Sequence, residues 1–241
     1  MKLTVIVLAK EDDEKLKRAA ESVRFADEVI VVKENFPVKD FSEVRNRALD
    51  RAKNEWVLFV DEDEEVSQQL AREIRRVVEF SNIGYFIRRR DKFLGKWLKH
   101  GETANIRLLR LARKDVGHWI RPVHEVWKTK GETGEFKNPL LHYSHDSVEE
   151  MVEKLDRYSG MEAEYRKNKM AKMAGMVRMA VWIIIFQLIF FPIGKFVQNY
   201  ILRLGFLNGM EGFIHAGMMS FHSFLVRSKL LARSESTNTS E

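Results

Sequence analysis

Trp56-Val57-Leu58-Phe59-Val60-Asp61-Glu62-Asp63-Glu64-Glu65-Val66-Ser67 is the stretch whose reading decides the fold. From Trp56 to Val60 it is apolar, β-branched and aromatic without polar alternation, which reads as a strand buried on both faces of a helix-covered sheet. The run then stops abruptly in carboxylates. In open α/β sheets the C-terminal strand edge is where ligands bind, and the Asp61-x-Asp63 spacing lets both acids reach one hard divalent cation, Mg²⁺ or Mn²⁺, that holds a diphosphate. The same acids also read as a solvated turn ahead of a helix starting near Ser67, whose N-terminus favours negative charge. The stretch alone leaves both readings open.

Toward the N-terminus, Leu3 to Leu8 and Glu28 to Val32 are short β-branched runs. Between them Leu16, Ala19, Ala20 and Val23 recur on one helical face, which predicts a βαβ unit. Asp40-Phe41-Ser42-Glu43 has capping-box spacing and opens a helix through Val44, Ala48 and Ala52 into the central strand, a second such unit. The repetition predicts an α/β fold with a mostly parallel sheet flanked by helices. No glycine-rich phosphate loop of the dinucleotide or Walker type occurs, so neither a Rossmann dehydrogenase nor a P-loop ATPase has support.

Toward the C-terminus, Gln69 to Phe80 reads as a helix with Leu70, Ile74, Val77 and Val78 inward and Arg72, Arg75 and Arg76 outward. Gly84 to Ile87 reads as a strand running into Arg88-Arg89-Arg90, either a solvated edge or a basic patch leaving the sheet. Phe93-Leu94-Gly95-Lys96-Trp97-Leu98-Lys99-His100-Gly101 is aromatic and glycine-punctuated, which suits a binding loop. Asn105 to Leu111 returns as a strand with Arg107 and Arg110 among leucines, and Gly117 to Glu125 follows. His142 and His145, with two residues between them on the last strand, read as structural, no carboxylate standing beside His142.

With 241 residues, 45% of them hydrophobic and 32% charged, the chain can bury a core domain and carry an appendage. It has no cysteine, which removes disulfides and thiolate zinc sites. Met1 leads straight into strand-like sequence without the series of a secretory signal, so the first domain is expected in the cytosol. The net charge of +6 and pI near 9.4 favour anionic partners. Nucleic acid is not among those expected, because no basic strand pair carries stacked aromatics.

From Asp146 a capped helix runs to about Lys169, with Met151, Leu155, Tyr158 and Met161 on one stripe. Lys167, Lys169, Lys172 and Arg178 then precede Val181 to Pro192, an apolar run shorter than the roughly 20 residues a spanning helix prefers. An interfacial or re-entrant hairpin is expected, its basic flank against anionic headgroups, with Ile214 to Leu231 as the second helix. The alternative is a soluble helix pair that makes a homo-oligomer. Domain limits read as 1–145, 146–233 and a polar tail over 234–241.

The order of Trp56 to Ser67, Gly95-Lys96-Trp97-Leu98-Lys99-His100-Gly101, Arg107-Leu108-Leu109-Arg110 and Val123-His124-Glu125 resembles family 2 glycosyltransferases, in particular those of the lipopolysaccharide-core β-glucosyltransferase type. The resemblance runs from Leu3 to about Arg233 and implies a GT-A-like fold. It implies an inverting enzyme that moves a sugar from a nucleotide-sugar donor to a lipid-linked or lipopolysaccharide-type acceptor at the cytoplasmic membrane face, with membrane lipids as further partners. In that reading Asp61 and Asp63 hold the divalent cation, Glu125 is the base that deprotonates the acceptor, and His124 contacts diphosphate or metal. Lys96, Trp97 and His100 line the acceptor side, and Arg107 joins the substrate-binding set. Where the family has a nucleotide-binding aspartate and a glycine-serine-threonine turn, this chain has Val31-Val32-Lys33-Glu34-Asn35 and a shorter link to Arg45-Asn46. Glu34 or Asp12 would have to substitute; otherwise the chain is a GT-A-like membrane-bound scaffold without turnover.

Overall fold

The computed structural model describes residues 2–34, 38–76, 83–171 and 177–235. They form two compact units: residues 1–92 with 103–144, and residues 93–102 with 145–241. The Phe93–Glu102 segment, which a linear reading leaves inside the first domain, thus belongs with the helical one.

The first unit is built on β1 (Leu3–Ala9), α1 (Glu14–Ser22), β2 (Glu28–Lys33), α2 (Phe41–Arg51) and β3 (Trp56–Asp61). β1 pairs in parallel with β2 on one side and β3 on the other. Both helices start on aspartate caps: Asp13 Oδ1 accepts from Leu16 N at 2.9 Å, and Asp40 Oδ1 from Ser42 N at 2.8 Å and Glu43 N at 3.2 Å. β3 is buried on both faces, with Val57, Leu58, Phe59 and Val60 all at 0% exposure. Alternation decides which face each residue serves. Leu58 and Val60 pack with Leu16, Ala19, Leu70 and Ile74 from α1 and α3 (Gln68–Arg76). Val57 and Phe59 pack on the opposite face with Val44, Ala48 and Leu49 of α2.

Past β3 the sheet departs from the mostly parallel one that the repeating units predict. β4 (Glu64–Val66) and α3 lead to β5 (Gly84–Phe93), β7 (Arg107–Arg113), β8 (Gly117–Ile120), β9 (Val126–Thr129), β10 (Thr133–Glu135) and β11 (Leu140–His145), with β6 (Lys96–Trp97) between β5 and β7. β7 runs antiparallel to both β3 and β5, and β11 antiparallel to β4. The sheet is mixed because helices stop separating the strands after α3, and strands joined without a crossover helix return antiparallel. Its order is β2-β1-β3-β7-β5-β11-β4. Since β4 begins just after β3 ends, this order is a curl that brings the far edge back to the acid turn. β8 and β9 form a separate ribbon whose Trp119 and Trp127 stack at 5.3 Å, with the Phe59 ring edge-on to each at 5.0 and 5.3 Å.

Arg88-Arg89-Arg90 do not leave the sheet; they are part of β5, where Arg88 pairs with Glu135 and Arg89 with Asp91. The helix expected to Phe80 runs as α3 to Arg76, and residues 77–82 lie outside the described ones.

In the second unit α4 (Val148–Ala171), α5 (Val177–Val197) and α6 (Met210–Glu235) follow in order. Phe93, Leu98, Met151 and Leu155 form its core, with Ile214, Met218 and Met219 of α6 against them. α5 closes onto α6 through a π turn at Gln198–Leu202 and a 3₁₀ turn at Gly205–Asn208. A Cβ on Gly205 would meet Asn199 O at 2.5 Å and one on Gly212 would meet Gly205 O at 2.1 Å, so only glycine allows this backbone contact. The window Ile185–Leu202 has a mean hydropathy of 1.3 over 18 residues and is 6% buried; by length and composition it is apolar enough to cross a membrane. Beyond Glu235 the expected tail lies outside the described residues.

Candidate functional site

The first unit gathers its acids at the end of β3. Asp61 follows Val60 at the strand end, opposite Leu8 of β1, and the turn is tied back by Glu62 N donating to Leu8 O at 2.9 Å and Lys10 N donating to Glu62 Oε2 at 2.6 Å. Two guanidinium groups meet at Asp61: Arg45 Nη2 donates to Oδ1 at 2.8 Å, and Arg110 Nη2 donates to Oδ2 at 2.6 Å. Arg110 also reaches the fully buried Glu64 at 3.1 Å, and Glu64 Oε2 accepts from Asp61 N at 3.0 Å. From the other side of Arg45, Nε donates to Glu125 Oε1 at 3.1 Å. The residues therefore form one chain of contacts, Glu125 to Arg45 to Asp61 to Arg110 to Glu64.

Local sequence explains how Arg45 arrives there. It lies on the inner face of α2 beside Val44, Ala48 and Leu49, 5% exposed, with its guanidinium 4.7 Å over the Trp119 ring. Its neighbour Asn46 pins the β8 ribbon reciprocally, Asn46 Nδ2 donating to Trp119 O at 3.0 Å and Trp119 N donating to Asn46 Oδ1 at 2.8 Å. Phe41 N, at the start of the helix, donates to Pro122 O at 3.0 Å. The segment ahead of Glu125 is held in unusual backbone, with Arg121 at φ 77° and His124 at φ 52°. Each such residue costs of order 1–3 kcal/mol, which surrounding contacts must offset.

Charge and burial set the protonation states. Burial pushes the Asp61 carboxyl up, but the Arg110 and Arg45 charges overcome it and hold it well below the ordinary carboxylate range. Burial prevails at Glu64 and raises its carboxyl despite Arg110, with Asp61 adding like-charge repulsion. Arg110, wedged between two carboxylates, is pushed further toward its charged form although burial opposes it. Arg45 Nη1 and Arg110 Nε are buried with no hydrogen-bond partner among the described residues, donor capacity held beside the acids.

A second cluster adjoins the first. His142 on β11 places Nε2 3.4 Å from Asp63 Oδ2 and Nδ1 2.9 Å from Asp91 Oδ1, while Arg89 grips Asp91 at 2.9 and 3.2 Å. Burial and Arg89 both oppose the imidazolium, yet Asp63 and Asp91 prevail and raise its pKa. Asp91, which burial alone would raise, is brought down to about 2 by Arg89 and the His142 hydrogen bond. The sequence reading found no carboxylate near His142; the structure puts one on each side of it. Asp63 comes with the turn, and Asp91 arrives because β5 lies beside β11 in the curled sheet.

The other candidates lie elsewhere. Arg107 points to Glu135 at 3.1 Å, and the neighbouring Arg110 is the arginine that meets the acids. Glu34 Oε1 accepts from Arg47 at 2.9 Å, and Asp12 pairs with Lys33. His124 is exposed beside Glu125. Lys96, Trp97 and His100 belong to the second unit, where Lys96 Nζ donates to Asn208 O at 2.6 Å and pairs with Glu211 at 3.0 Å, and His100 O accepts from Asn208 Nδ2 at 2.9 Å. Sequence reasoning missed Arg45, Glu64, Asp91 and Arg110 as site residues and read His142 as structural. Arg45 carried a usable signal, a charged side chain on the otherwise apolar face of α2.

Among the described residues no group of three or more His, Cys, Asp or Glu is disposed to hold a metal ion. Both oxygens of Asp61 accept from arginines and Asp63 stands 3.4 Å from His142 Nε2, so each acid of the expected pair already has a partner.

No family model matches the chain. A protein of Rickettsia bellii named "Uncharacterized glycosyltransferase" is 24% identical over 265 residues, covering 95% of this chain and 86% of that protein. A Rickettsia felis protein of the same name is 23% identical over 282 residues, covering 98% and 95%. The chain is a distant relative of proteins named glycosyltransferases. Among solved structures, Staphylococcus aureus TarS 1–349 aligns over 100% of this chain and 92% of that one at 12% identity with a TM-score of 0.43, and its complex with UDP-GlcNAc over 100% and 93% at 11% with a TM-score of 0.44. Likeness at that level carries no argument about chemistry.

Proposed function

We propose that the chain is an inverting glycosyltransferase of the family 2, GT-A-like kind, which moves a sugar from a nucleotide-sugar donor to an acceptor hydroxyl on a lipid-linked or lipopolysaccharide-type molecule at the cytoplasmic membrane face. The observation that carries this reading is the shared Arg45: Asp61 at the end of β3 and Glu125, 80 residues beyond Arg45 in sequence, meet on one guanidinium. Distant relatives named glycosyltransferases along nearly the whole chain support the same class.

In the proposed reaction Glu125 takes the proton of the acceptor hydroxyl, whose oxygen attacks the anomeric carbon as the nucleoside diphosphate leaves from the opposite face. Arg45 sets the direction of the Glu125 carboxylate. Arg110 and Arg45 keep Asp61 ionised. A divalent cation on Asp63, when bound, neutralises charge growing on the leaving diphosphate. Lys96, Trp97 and His100 are proposed for the acceptor.

A second reading, a GT-A-like protein without turnover, draws on the pairing of Glu34 with Arg47 and of Asp12 with Lys33, since those acids were the candidates to replace the missing nucleotide aspartate. Titration of the full chain with UDP- and GDP-sugars, with and without Mn²⁺, separates the two. Transferase activity predicts cation-dependent binding that Asp63→Ala abolishes. Glu125→Gln should bind donor normally yet lose about a hundredfold or more in kcat. Absence of binding across the panel favours the second reading.

A further inference from the structure

The α5–α6 hairpin is inside out for a helix pair in water. Wound at about 100° per residue, Phe186, Ile189, Phe190, Ile193 and Val197 fall on one side of α5 and are 37–60% exposed. The opposite side carries Lys195 and the buried Asn199, whose side chains donate to Glu102 Oε1 at 2.7 Å and Glu102 Oε2 at 3.0 Å. α6 repeats the pattern: Met210, Phe213, Phe221 and Phe224 face out at 41–68%, while Ala216, Val226 and Leu230 are buried. Stripes of this size exposed on a soluble protein mark an interaction surface.

The closing end of the hairpin decides how a membrane would take it. Asn208 is buried, accepts from Lys99 N at 3.0 Å and donates to His100 O at 2.9 Å, and Lys96 pairs with Glu211 there. The turn also exposes Ile201, Leu202, Leu204, Phe206 and Leu207 at 45–73%, but this apolar surface is backed by the charged 93–102 segment, so the closing end as a whole is unsuited to the hydrocarbon that a turn plunging inward would enter. The window Ile185–Leu202, 18 residues or about 27 Å of helix, therefore lies along a surface better than through one.

Arg227 identifies the surface. It is 7% exposed, its guanidinium lies 4.2 Å over the Phe191 ring, and it donates to Ser223 O at 2.9 Å and Ser223 Oγ at 2.8 Å. Its Nε has no hydrogen-bond partner among the described residues, and no carboxylate pairs with it there. Phe191, 48% exposed, lies off the stripe toward the Lys195 side of α5, and a cation at that margin complements lipid phosphate, whereas a second copy of the same face would bring another cation.

We propose that the hairpin lies flat in the interface of an anionic bilayer, both stripes in the acyl boundary and Arg227 on a lipid phosphate. This deepens the membrane element of the proposed function and rests on it, and because its test needs no sugar transfer, failure of the flat geometry and failure of the transferase reading are distinguished. Because the chain has no cysteine, single cysteines can replace Phe186, Ile193, Phe213 and Phe224 in turn, with Glu153→Cys on α4 as the water-exposed control. Spin labels there, on full chain bound to phosphatidylcholine–phosphatidylglycerol vesicles, report depth through collisions with oxygen and with a nickel chelate. A flat hairpin gives one shallow depth at all the stripe positions. Depth increasing from 186 toward the hairpin turn overturns the flat geometry; failure to bind vesicles, or burial of the labels in a lipid-independent dimer, overturns the lipid partner. Arg227→Gln should cut the preference for anionic over neutral vesicles about fivefold, and Arg227→Lys should retain it; equal preference in all these proteins would remove Arg227 from the proposal.

Discussion

The two units place polar side chains inside for different ends. In the first, Arg45, Arg110, Glu64 and Asp91 are buried within a shell whose apolar residues are also inside, and the ions pair with one another. In the second, Lys195, Asn199 and Asn208 point inward while phenylalanines and isoleucines point out. An interior ion network beneath an ordinary surface fixes the geometry of a site. An interior polar seam beneath an apolar surface assigns the exterior to something other than water. Buried polarity therefore means little until the opposite face is known.

The sharpest way to break this comparison is to remove one charge from the first unit. Arg110→Ala strands Asp61 and Glu64 in the interior and should cost about 3–5 kcal/mol in urea unfolding of the full chain. Adding Glu64→Gln should return part of it, because one uncompensated charge is then gone. A loss below about 1 kcal/mol would mean that water reaches these groups.

Acid should act on the same interior. The Asp91 carboxyl lies at about 2 when folded against 3.8 ordinarily. A depressed carboxyl contributes stability above its unfolded value, lost as pH falls through its folded one, so on the order of 2 kcal/mol should vanish between pH 3.8 and about 2. Asp91→Asn should flatten that part of the stability profile. An unchanged acid limb in the variant would separate Asp91 from the ion network.

The smallest effect on folding is expected in the second unit. Phe190→Asp, at a position 53% exposed, should leave the unfolding midpoint within about 0.5 kcal/mol of the parent and weaken vesicle binding about tenfold. If it destabilised the chain as a core substitution does, the stripe would be an interior surface and the contrast between the units would fail.

Much of the first unit was legible because its signals are local. The β-branched run before Asp61, the aspartates at the starts of α1 and α2, and the helical spacing of Leu16 with Ala19 each act within a few residues. The hairpin was legible for the same reason, through composition over one helix length. The ion network was not, because Arg45 and Glu125 are separated by 80 positions and Arg110 and Asp61 by 49. Nothing near Arg107 or Arg110 distinguishes them, and only the register of β7 decides which one meets the acids.

By itself, then, the sequence determined a βαβαβ start, a strand buried on both faces that ends in acids, and an apolar helix pair at the C-terminus. Those features follow from periodicity, capping and hydrophobic burial, which neighbours along the chain decide. The tertiary structure alone decided that the sheet is mixed and curled, that Asp61 lies between two arginines, that His142 stands between Asp63 and Asp91, and that Phe93–Glu102 belongs to the helical unit. These depend on which strands pair across long loops, and the free energy of such pairing belongs to the whole packed assembly and not to any segment of it.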